Sequence, residues 1–306
     1  MAAIKSYKGF DKNLKCRDFQ YEIGKEYEMD GEIKVCNRGF HACESPFDVF
    51  DHYTMIDSRF CEVEQDGNIS KKDRGTKICS SKIKIKAELK LADMINLGVE
   101  WLKEITSPEK IKTSMKDNSS GNYAQIGSSG NYAQIGSSGD DAKIGSSGNY
   151  AQIGSSGDGA QIGSSGYGAK IGSSGNGAQI GSSGNYAQIG SSGNYAQIGS
   201  SGDGAKIGSS GNYAQIGSSG DGAKIGSSGD DAQIDSTGEG CVIMCAGINS
   251  VAKASKGSWI TLSEWSYSDK KQRYIPVCVK TEFVDGEKIK ADTYYKLDGG
   301  VFKEIQ

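Results

Sequence analysis

A nine-residue repeat occupies the middle of the chain, where thirteen copies follow one another without a gap from residue 119 to residue 235. Each copy follows the pattern SSGNYAQIG, with Ala at the sixth position and Ile at the eighth. A fourteenth, degenerate copy (STGEGCVIM) places Ile243 at the same phase. Ala and Ile are two residues apart, so they point to one face of a strand while the Gln or Lys between them points to water. A single repeat cannot bury its own Ile, and successive copies must therefore stack.

The repeat predicts a parallel β-solenoid. One nonapeptide forms an Ala-x-Ile strand and a Ser-Ser-Gly corner, where Gly supplies a backbone conformation that other residues resist. Two nonapeptides then form a coil of about 18 residues with a thin Ala and Ile core, and the rod is about 30 Å long at about 4.8 Å per strand. A Gly/Ser linker is not expected, because linkers need no aliphatic residues at fixed phase. The handedness stays open, as does a trimeric roll of three chains that share one core.

The flanking sequences predict a mainly β protein with an α+β N-terminal head and a small β C-terminal cap. A helical stripe follows Ala92, and Pro108 suits the first turn of a second short helix over residues 107–115. The predicted domains are the head at 1–91, a helical linker or cap at 92–118, the solenoid at 119–262 and the C-terminal β cap at 263–306.

Composition narrows the classes of partner and compartment. The net charge of −3 argues against a nucleic-acid partner, and the chain has neither an apolar run long enough to span a membrane nor a signal-peptide core. We therefore expect a cytoplasmic protein whose eight Cys are reduced. Cys36, His41 and Cys43 could form a zinc site with Cys16 or Cys61, but no Cys-x2-Cys pair is present. The sequence thus predicts no metal and no cofactor.

Alternate repeats should lie on opposite sides of the rod. The even-numbered repeats combine several Tyr residues with most of the Lys residues of the array. Their predicted binding face consists of Tyr132, Tyr150, Tyr186, Lys170, Lys206 and Lys224, with Tyr167 one position out of phase. The alternative is that stacked Tyr and Asn ladders only stabilise adjacent coils. Calcium binding is disfavoured because most repeats lack the required Asp. DNA mimicry is disfavoured because the repeat region carries too little negative charge. Ice binding is disfavoured because the residues at the strand centres have long side chains.

The head holds one motif that could carry chemistry, formed by Gly39, Phe40, His41 and Cys43. A Cys/His pair can act as nucleophile and base, but residues two apart on a strand are seldom aligned for proton transfer. A Gly-x-His segment before a short helix resembles ADP-ribosyltransferase folds, although the other motifs of those enzymes are not identifiable. A structural role for His41 is the prediction.

The two ends of the chain resemble a family of phage and prophage proteins without an assigned biochemical role. The resemblance rests on segments YKGFD, KCRDFQY, GFHAC and PFDVF between residues 7 and 50, and on DGEKIKADTYY at 285–295. It implies a viral or mobile-element origin and supplies no catalytic residues. We expect a non-catalytic protein that binds a host bacterial protein, such as an anti-phage defence component, and that could form a homo-oligomer. The alternatives are an enzyme acting through the head and a structural, virion-associated or ice-binding rod.

Overall fold

The computed structural model describes residues 3–55, 57–71, 76–106 and 121–305. The chain separates into two compact units, residues 1–101 and 102–306. It is mainly β, as predicted, with a parallel β-solenoid between an α+β head and antiparallel C-terminal strands. The second helix predicted over 107–115 lies outside the described residues.

The head is built around one antiparallel sheet and a small separate hairpin. Its elements are β1 (Ile4–Phe10), β2 (Lys15–Cys16), β3 (Phe19–Gln20), β4 (Glu26–Glu28), β5 (Phe40–Cys43), a 3-10 helix (Phe47–Asp51), β6 (Arg59–Lys71) and β7 (Lys77–Leu89). The strand order of the sheet is β4-β7-β5-β1-β6, and β2 pairs with β3 alone. Apolar residues alternate along β7, so Ile83 and Ile85 lie fully buried in the core of the head.

One described α-helix, α1 (Leu91–Ile105), follows the head sheet at the predicted position. Its apolar stripe is buried at Met94, Val99 and Leu102. Asp93, in the first turn, accepts a hydrogen bond from the backbone N–H of Lys90 at 2.9 Å, which satisfies a donor that the helix itself leaves free. No helix in the described ranges is both long enough and apolar enough to cross a membrane.

The fourteen repeat copies and the segment that follows them form fifteen short strands, which stack as two parallel sheets. They are β8 (Gln125–Ser128), β9 (Gln134–Ser137), β10 (Lys143–Ser146), β11 (Gln152–Ser155), β12 (Gln161–Ser164), β13 (Lys170–Ser173), β14 (Gln179–Ser182), β15 (Gln188–Ser191), β16 (Gln197–Ser200), β17 (Lys206–Ser209), β18 (Gln215–Ser218), β19 (Lys224–Ser227), β20 (Gln233–Ser236), β21 (Val242–Cys245) and β22 (Val251–Ala254). Odd repeats form one sheet and even repeats the other, so each strand pairs with the strand that lies two repeats further on. The register places Ile144 beside Ile162, which confirms the predicted period of 18 residues.

The strands are displaced by one or two residues from their predicted position. Each begins at the Gln or Lys between Ala and Ile and ends at the first Ser of the next repeat, whereas Ala precedes the strand and still points inward. The first Ser is therefore a core residue rather than a corner residue. Ser146 and Ser200 are fully buried, and their hydroxyls have no hydrogen-bond partner among the described residues.

The glycine of the Ser-Ser-Gly corner has a different role from the predicted one. The residue with positive φ is the fifth of the repeat, which is Tyr, Asp or Gly, as at Tyr195 (φ 59°) and Gly204 (φ 64°). The corner glycine instead allows adjacent coils to approach closely. A Cβ at Gly193 would overlap the carbonyl oxygen of Gly175 in the preceding coil. Glycine is therefore required at the third position because any side chain there would overlap the neighbouring coil, and not because the backbone is left-handed.

Four antiparallel elements end the chain: β23 (Trp259–Ser268), β24 (Arg273–Phe283), β25 (Tyr294–Asp298) and β26 (Val301–Ile305). β23 begins as the last parallel strand of the even-repeat sheet and then pairs antiparallel with β24, so it runs across the predicted boundary at 262/263. Gly299 and Gly300, both with positive φ, form a two-residue turn between β25 and β26. Asp285-Gly286 is a sequence typical of hairpin turns, but it lies between β24 and β25, which belong to different sheets, so it joins no hairpin.

Candidate functional site

The two outer faces of the solenoid have the same repeat sequence but differ in exposure. On the odd-repeat sheet, Gln161 and Gln179 are only 7% and 4% exposed. A Cβ at Gly127 or Gly145 of that sheet would overlap atoms of Thr106, so this residue lies against the glycines of the first coils. The outer face of the even-repeat sheet, here called the even face, is exposed at its Gln, Lys and Gly positions. The even face is therefore the surface that can meet a partner.

A shallow groove of about 980 Å³ runs along the even face. Its floor is a row of glycines at the ninth repeat position, where an added Cβ at Gly154 or Gly190 would meet no described atom within 4 Å. The predicted residues Lys170, Lys206 and Lys224 line this groove, and no acidic residue does so. None of these three lysines forms an ion pair within the described part of the chain. The groove is thus a basic surface over exposed backbone.

The tyrosines of the even repeats form a separate feature, here called the tyrosine strip, which consists of Tyr132, Tyr150, Tyr167 and Tyr186. The ring centroids of successive members are 5.3, 5.6 and 5.3 Å apart, and each side chain is between 43% and 68% exposed. Three of them occupy the fifth repeat position, at the corner before an even strand. The strip therefore presents four contiguous aromatic rings to solvent along one corner of the solenoid.

Tyr167 departs from the repeat in a way that completes this strip. The fourth position is Asn or Asp in the other twelve repeats. In the odd and in the even repeats, the side-chain Oδ1 of this Asn or Asp accepts a hydrogen bond from the backbone N–H of the fourth residue in the next coil. Asn131, for example, accepts from the N–H of Asn149 at 2.9 Å. Tyr167 has no such oxygen, so the ladder is interrupted before Asn185, whose own Oδ1 resumes it by accepting the N–H of Asp203 at 3.0 Å. The Tyr167 ring lies between Tyr150 and Tyr186, beside Gly168, where the fifth position carries no ring.

The structure divides the predicted binding residues into two groups. Tyr132, Tyr150 and Tyr186 join Tyr167 in the strip at the corner, whereas the three lysines lie in the groove, which the tyrosines do not line. Sequence reasoning placed both groups on the even side but missed that Tyr167 is the member that makes the strip continuous. The available signal was its position in the repeat: it is a Tyr where every other copy has Asn or Asp.

The head motif takes up a structural arrangement on β5. Gly39 has a φ of 131° and packs where a Cβ would overlap the Cys79 thiol, while Phe40 is buried in the core of the head. His41 Nε2 accepts a hydrogen bond from the backbone N–H of Cys36 at 2.9 Å, so this nitrogen is engaged. Burial raises the pKa of the Cys43 thiol to about 12, which keeps it protonated at neutral pH. This arrangement does not provide a thiolate nucleophile beside a free base.

The cysteines are all unpaired in the structure. Across residues 3–55, 57–71, 76–106 and 121–305, no three His, Cys, Asp or Glu side chains come together as metal ligands. The group of Cys36 that donates to the His41 imidazole is its backbone N–H, not its thiol.

Comparison with known proteins gives one match, to the head. Residues 4–97 are similar to a family described as a domain of unknown function (DUF7666), and the match covers just under one third of the chain. No curated protein and no solved structure matches the chain.

Proposed function

We propose that this chain is a non-catalytic binding protein that docks onto a partner protein through the tyrosine strip and the even face. The observation that carries the proposal is Tyr167, which gives up a ladder hydrogen bond at the one place where its ring makes the strip continuous. Tyr is among the residues that dominate the energetics of protein interfaces, because a large rigid ring is buried with little loss of entropy.

The exception at residue 167 exchanges one kind of contact for another. One intramolecular hydrogen bond contributes about 0.5–1.5 kcal/mol net, and each of the two ring contacts of Tyr167, with Tyr150 and Tyr186, contributes about as much. The exchange also leaves a fourth ring 43% exposed to solvent. Retention of an exposed ring at the expense of the repeat pattern supports a role in contacting a partner.

The groove indicates the charge of the partner. Lys206 and Lys224 are direct neighbours in register, and like charges at this separation destabilise a sheet. An acidic surface on the partner would relieve this repulsion and would steer the encounter. We therefore propose a partner that places acidic residues in the groove and an apolar surface on the strip.

The partner class follows from the resemblance of the terminal motifs to phage and prophage proteins. We propose a host bacterial protein, such as a component of anti-phage defence, which this chain antagonises by occupying its surface. A rigid scaffold that displays binding residues suits such an antagonist, because few groups become ordered on binding.

The test is capture of the partner from host lysate by the whole protein and by matched tyrosine variants. We expect Tyr150→Gly and Tyr167→Asn each to weaken capture at least about tenfold, the effect of a lost interface anchor. Both substitutions restore residues that other repeats carry at the same position, so the solenoid should stay folded. Affinity is then measured with the purified partner by calorimetry.

Tyr213→Gly is the matched control. Tyr213 stacks on Tyr195 at 4.9 Å in the odd repeats, has the same position in the repeat and is similarly exposed. Capture should be unchanged by this substitution. The proposal fails if wild-type protein captures nothing, or if the Tyr213 and Tyr150 variants capture equally well.

Repulsion in the groove gives a prediction that needs no partner. Lys224→Gln should raise the free energy of unfolding by about 0.2–1 kcal/mol, because it removes a like charge beside Lys206. Lys170→Gln is the control, since both register neighbours of Lys170 are Gln and no repulsion is removed. Urea denaturation at low salt measures both variants. Equal changes in the two would show that adjacent charge is not the cause.

A further inference from the structure

The even-repeat sheet ends in an open edge at β24. In this nine-stranded sheet, β24 is the terminal strand and pairs with β23 alone. No backbone hydrogen bond joins the other edge of β24 to a residue within the described ranges. β24 has eleven residues, about twice the length of a typical strand. An open edge of this length presents unpaired N–H and C=O groups, which are a template for pairing with another strand.

The two halves of β24 differ in how this edge is protected. The first half contains Pro276, which cannot donate to a ladder, and a β-bulge in the pairing with β23; both features discourage pairing at an edge. The second half, residues 277–283, has no proline and two charged side chains, Lys280 and Glu282, which form an ion pair at 3.2 Å. Glu282 also pairs with Lys288 at 2.8 Å. Lys280 is therefore engaged by a carboxylate, and the second half is the less protected one.

Apolar side chains on the outer surface of the sheet continue up to this edge. Val242, Trp259 and Phe283 lie side by side in register across β21, β23 and β24, and each is 40–47% exposed. The ring centroids of Trp259 and Phe283 are 5.0 Å apart. Val279 lies on the same face of β24 and is 65% exposed. Contiguous exposed apolar side chains of this kind mark a surface that contacts another molecule.

The sequence of the second half is complementary to itself. When a strand pairs antiparallel with its own copy about a twofold axis, one residue lies opposite its equivalent, and residues equally far from it on either side become partners. With Thr281 at the axis, Lys280 lies opposite Glu282 of the second copy, and Val279 lies opposite Phe283. Opposite charges and pairs of an aromatic with a β-branched residue both stabilise a sheet when they face each other across strands.

The neighbouring registers fit less well. An axis at Lys280 or at Glu282 would place two like charges directly opposite each other, which destabilises a sheet. An axis at Val279 would place Glu282 opposite Pro276 and would extend the pairing across the bulge, where the ladder of β24 is interrupted. Charge and backbone continuity therefore both select the register with its axis at Thr281.

We propose that the chain forms a twofold-symmetric dimer by antiparallel pairing of residues 279–283 of β24 with the same residues of a second copy, with the axis at Thr281. The pairing continues the nine-stranded sheet from one copy into the other, and it covers Val279 with Phe283 of the second copy. It also closes the open edge of β24, because each strand gains a partner on that side. The groove of the even face is lined by residues of β9 to β19, so the dimer is independent of the proposed function.

A disulfide trap tests the register. Thr281→Cys, in a chain that also carries Cys278→Ser, places one thiol of each copy at the axis, where opposed Cα atoms are about 4.5–5.5 Å apart and within reach of a disulfide. Mild oxidation should convert this variant into a covalent dimer, and peptide mass spectrometry should find residue 281 linked to residue 281. Thr261→Cys in the same background is the matched control. Thr261 lies beside Thr281 on β23, one strand further from the axis, so at least about tenfold less covalent dimer should form.

Sedimentation equilibrium of the unmodified chain and of two lysine variants tests the dimer itself. The wild-type protein should have twice the mass of one chain. Val279→Lys should weaken dimerisation at least about tenfold, because it places a cation opposite Phe283 and beside Lys280. Val301→Lys is the control, since Val301 is 48% exposed but lies on β26 in the other sheet, and dimerisation should be unchanged. A monomeric wild-type protein, a dimer that tolerates Val279→Lys, or equal cross-linking at residues 261 and 281 would overturn the proposal.

Discussion

We expect Gly193→Ala to destabilise the solenoid strongly, whereas Gly190→Ala, three residues earlier, should leave it as stable or slightly more stable. The added methyl at residue 193 would overlap the backbone carbonyl of Gly175, and a stacked coil cannot move away without breaking its ladders. Overpacking of this kind costs about 1–3 kcal/mol or more. At residue 190 the methyl meets no described atom within 4 Å, and Ala lowers the entropy of the unfolded chain, which stabilises by about 0.4–1 kcal/mol.

Urea denaturation of the two variants, followed by circular dichroism, measures this difference. Both residues lie in the same coil and undergo the same chemical change, so intrinsic propensity largely cancels between them. If the two variants unfold at the same urea concentration, contact between neighbouring coils is not what requires glycine at the third position.

The second large effect is expected from the core. Ile198→Ala, in the middle of the solenoid, should lower the free energy of unfolding by about 2–5 kcal/mol, because the fully buried side chain leaves a cavity that the stacked strands cannot close. Ile135→Ala, in the first coil, should cost much less, since Ile135 is only partly buried and only packs against the core cluster.

Thermal unfolding and amide hydrogen exchange distinguish the two positions. Stability in a stacked array is the sum of terms for each repeat and each interface, so an end coil opens before a central one. Exchange should be faster at Gln134–Ser137 than at Gln197–Ser200 in the wild-type protein. Equal losses in the two Ala variants would contradict this picture of the core.

The period of the solenoid was predictable because the phase of Ala and Ile repeats without a slip, and two apolar residues per nonapeptide leave few alternatives. The inward Ser was missed because a hydroxyl is ordinarily assigned to a turn, yet strand alternation carries the first Ser of each repeat back inside after Ile198 and Gly199. The left-handed residue was also misassigned. Tyr195 has a positive φ, a conformation that sequence preference assigns to Gly or Asn. The closure of the coil imposes this conformation on whichever residue stands at the fifth position.

The candidate sites were predictable to different degrees. The even side follows from counting repeats, but no pattern in the repeats reveals that the odd-repeat sheet is the less exposed one, as Gln161 and Gln179 show. The burial of Lys8 in the head carried no signal, because a Lys within a strand is normally exposed. The rings of Tyr21 and Tyr53 and the carbonyl oxygen of His41 surround its ammonium. Only the tertiary structure brings these groups together.

The assignment of alternate repeats to opposite sheets makes the protein sensitive to parity. Loss or gain of a single nonapeptide within the array would keep every core contact, yet it would exchange the two outer faces for all the sequence that follows. Removal of residues 173–181, for example, would move Lys206 and Lys224 to the odd-repeat sheet and separate Tyr186 from Tyr167. Functional variants of this architecture should therefore differ in length by multiples of 18 residues, although stability alone would permit steps of nine.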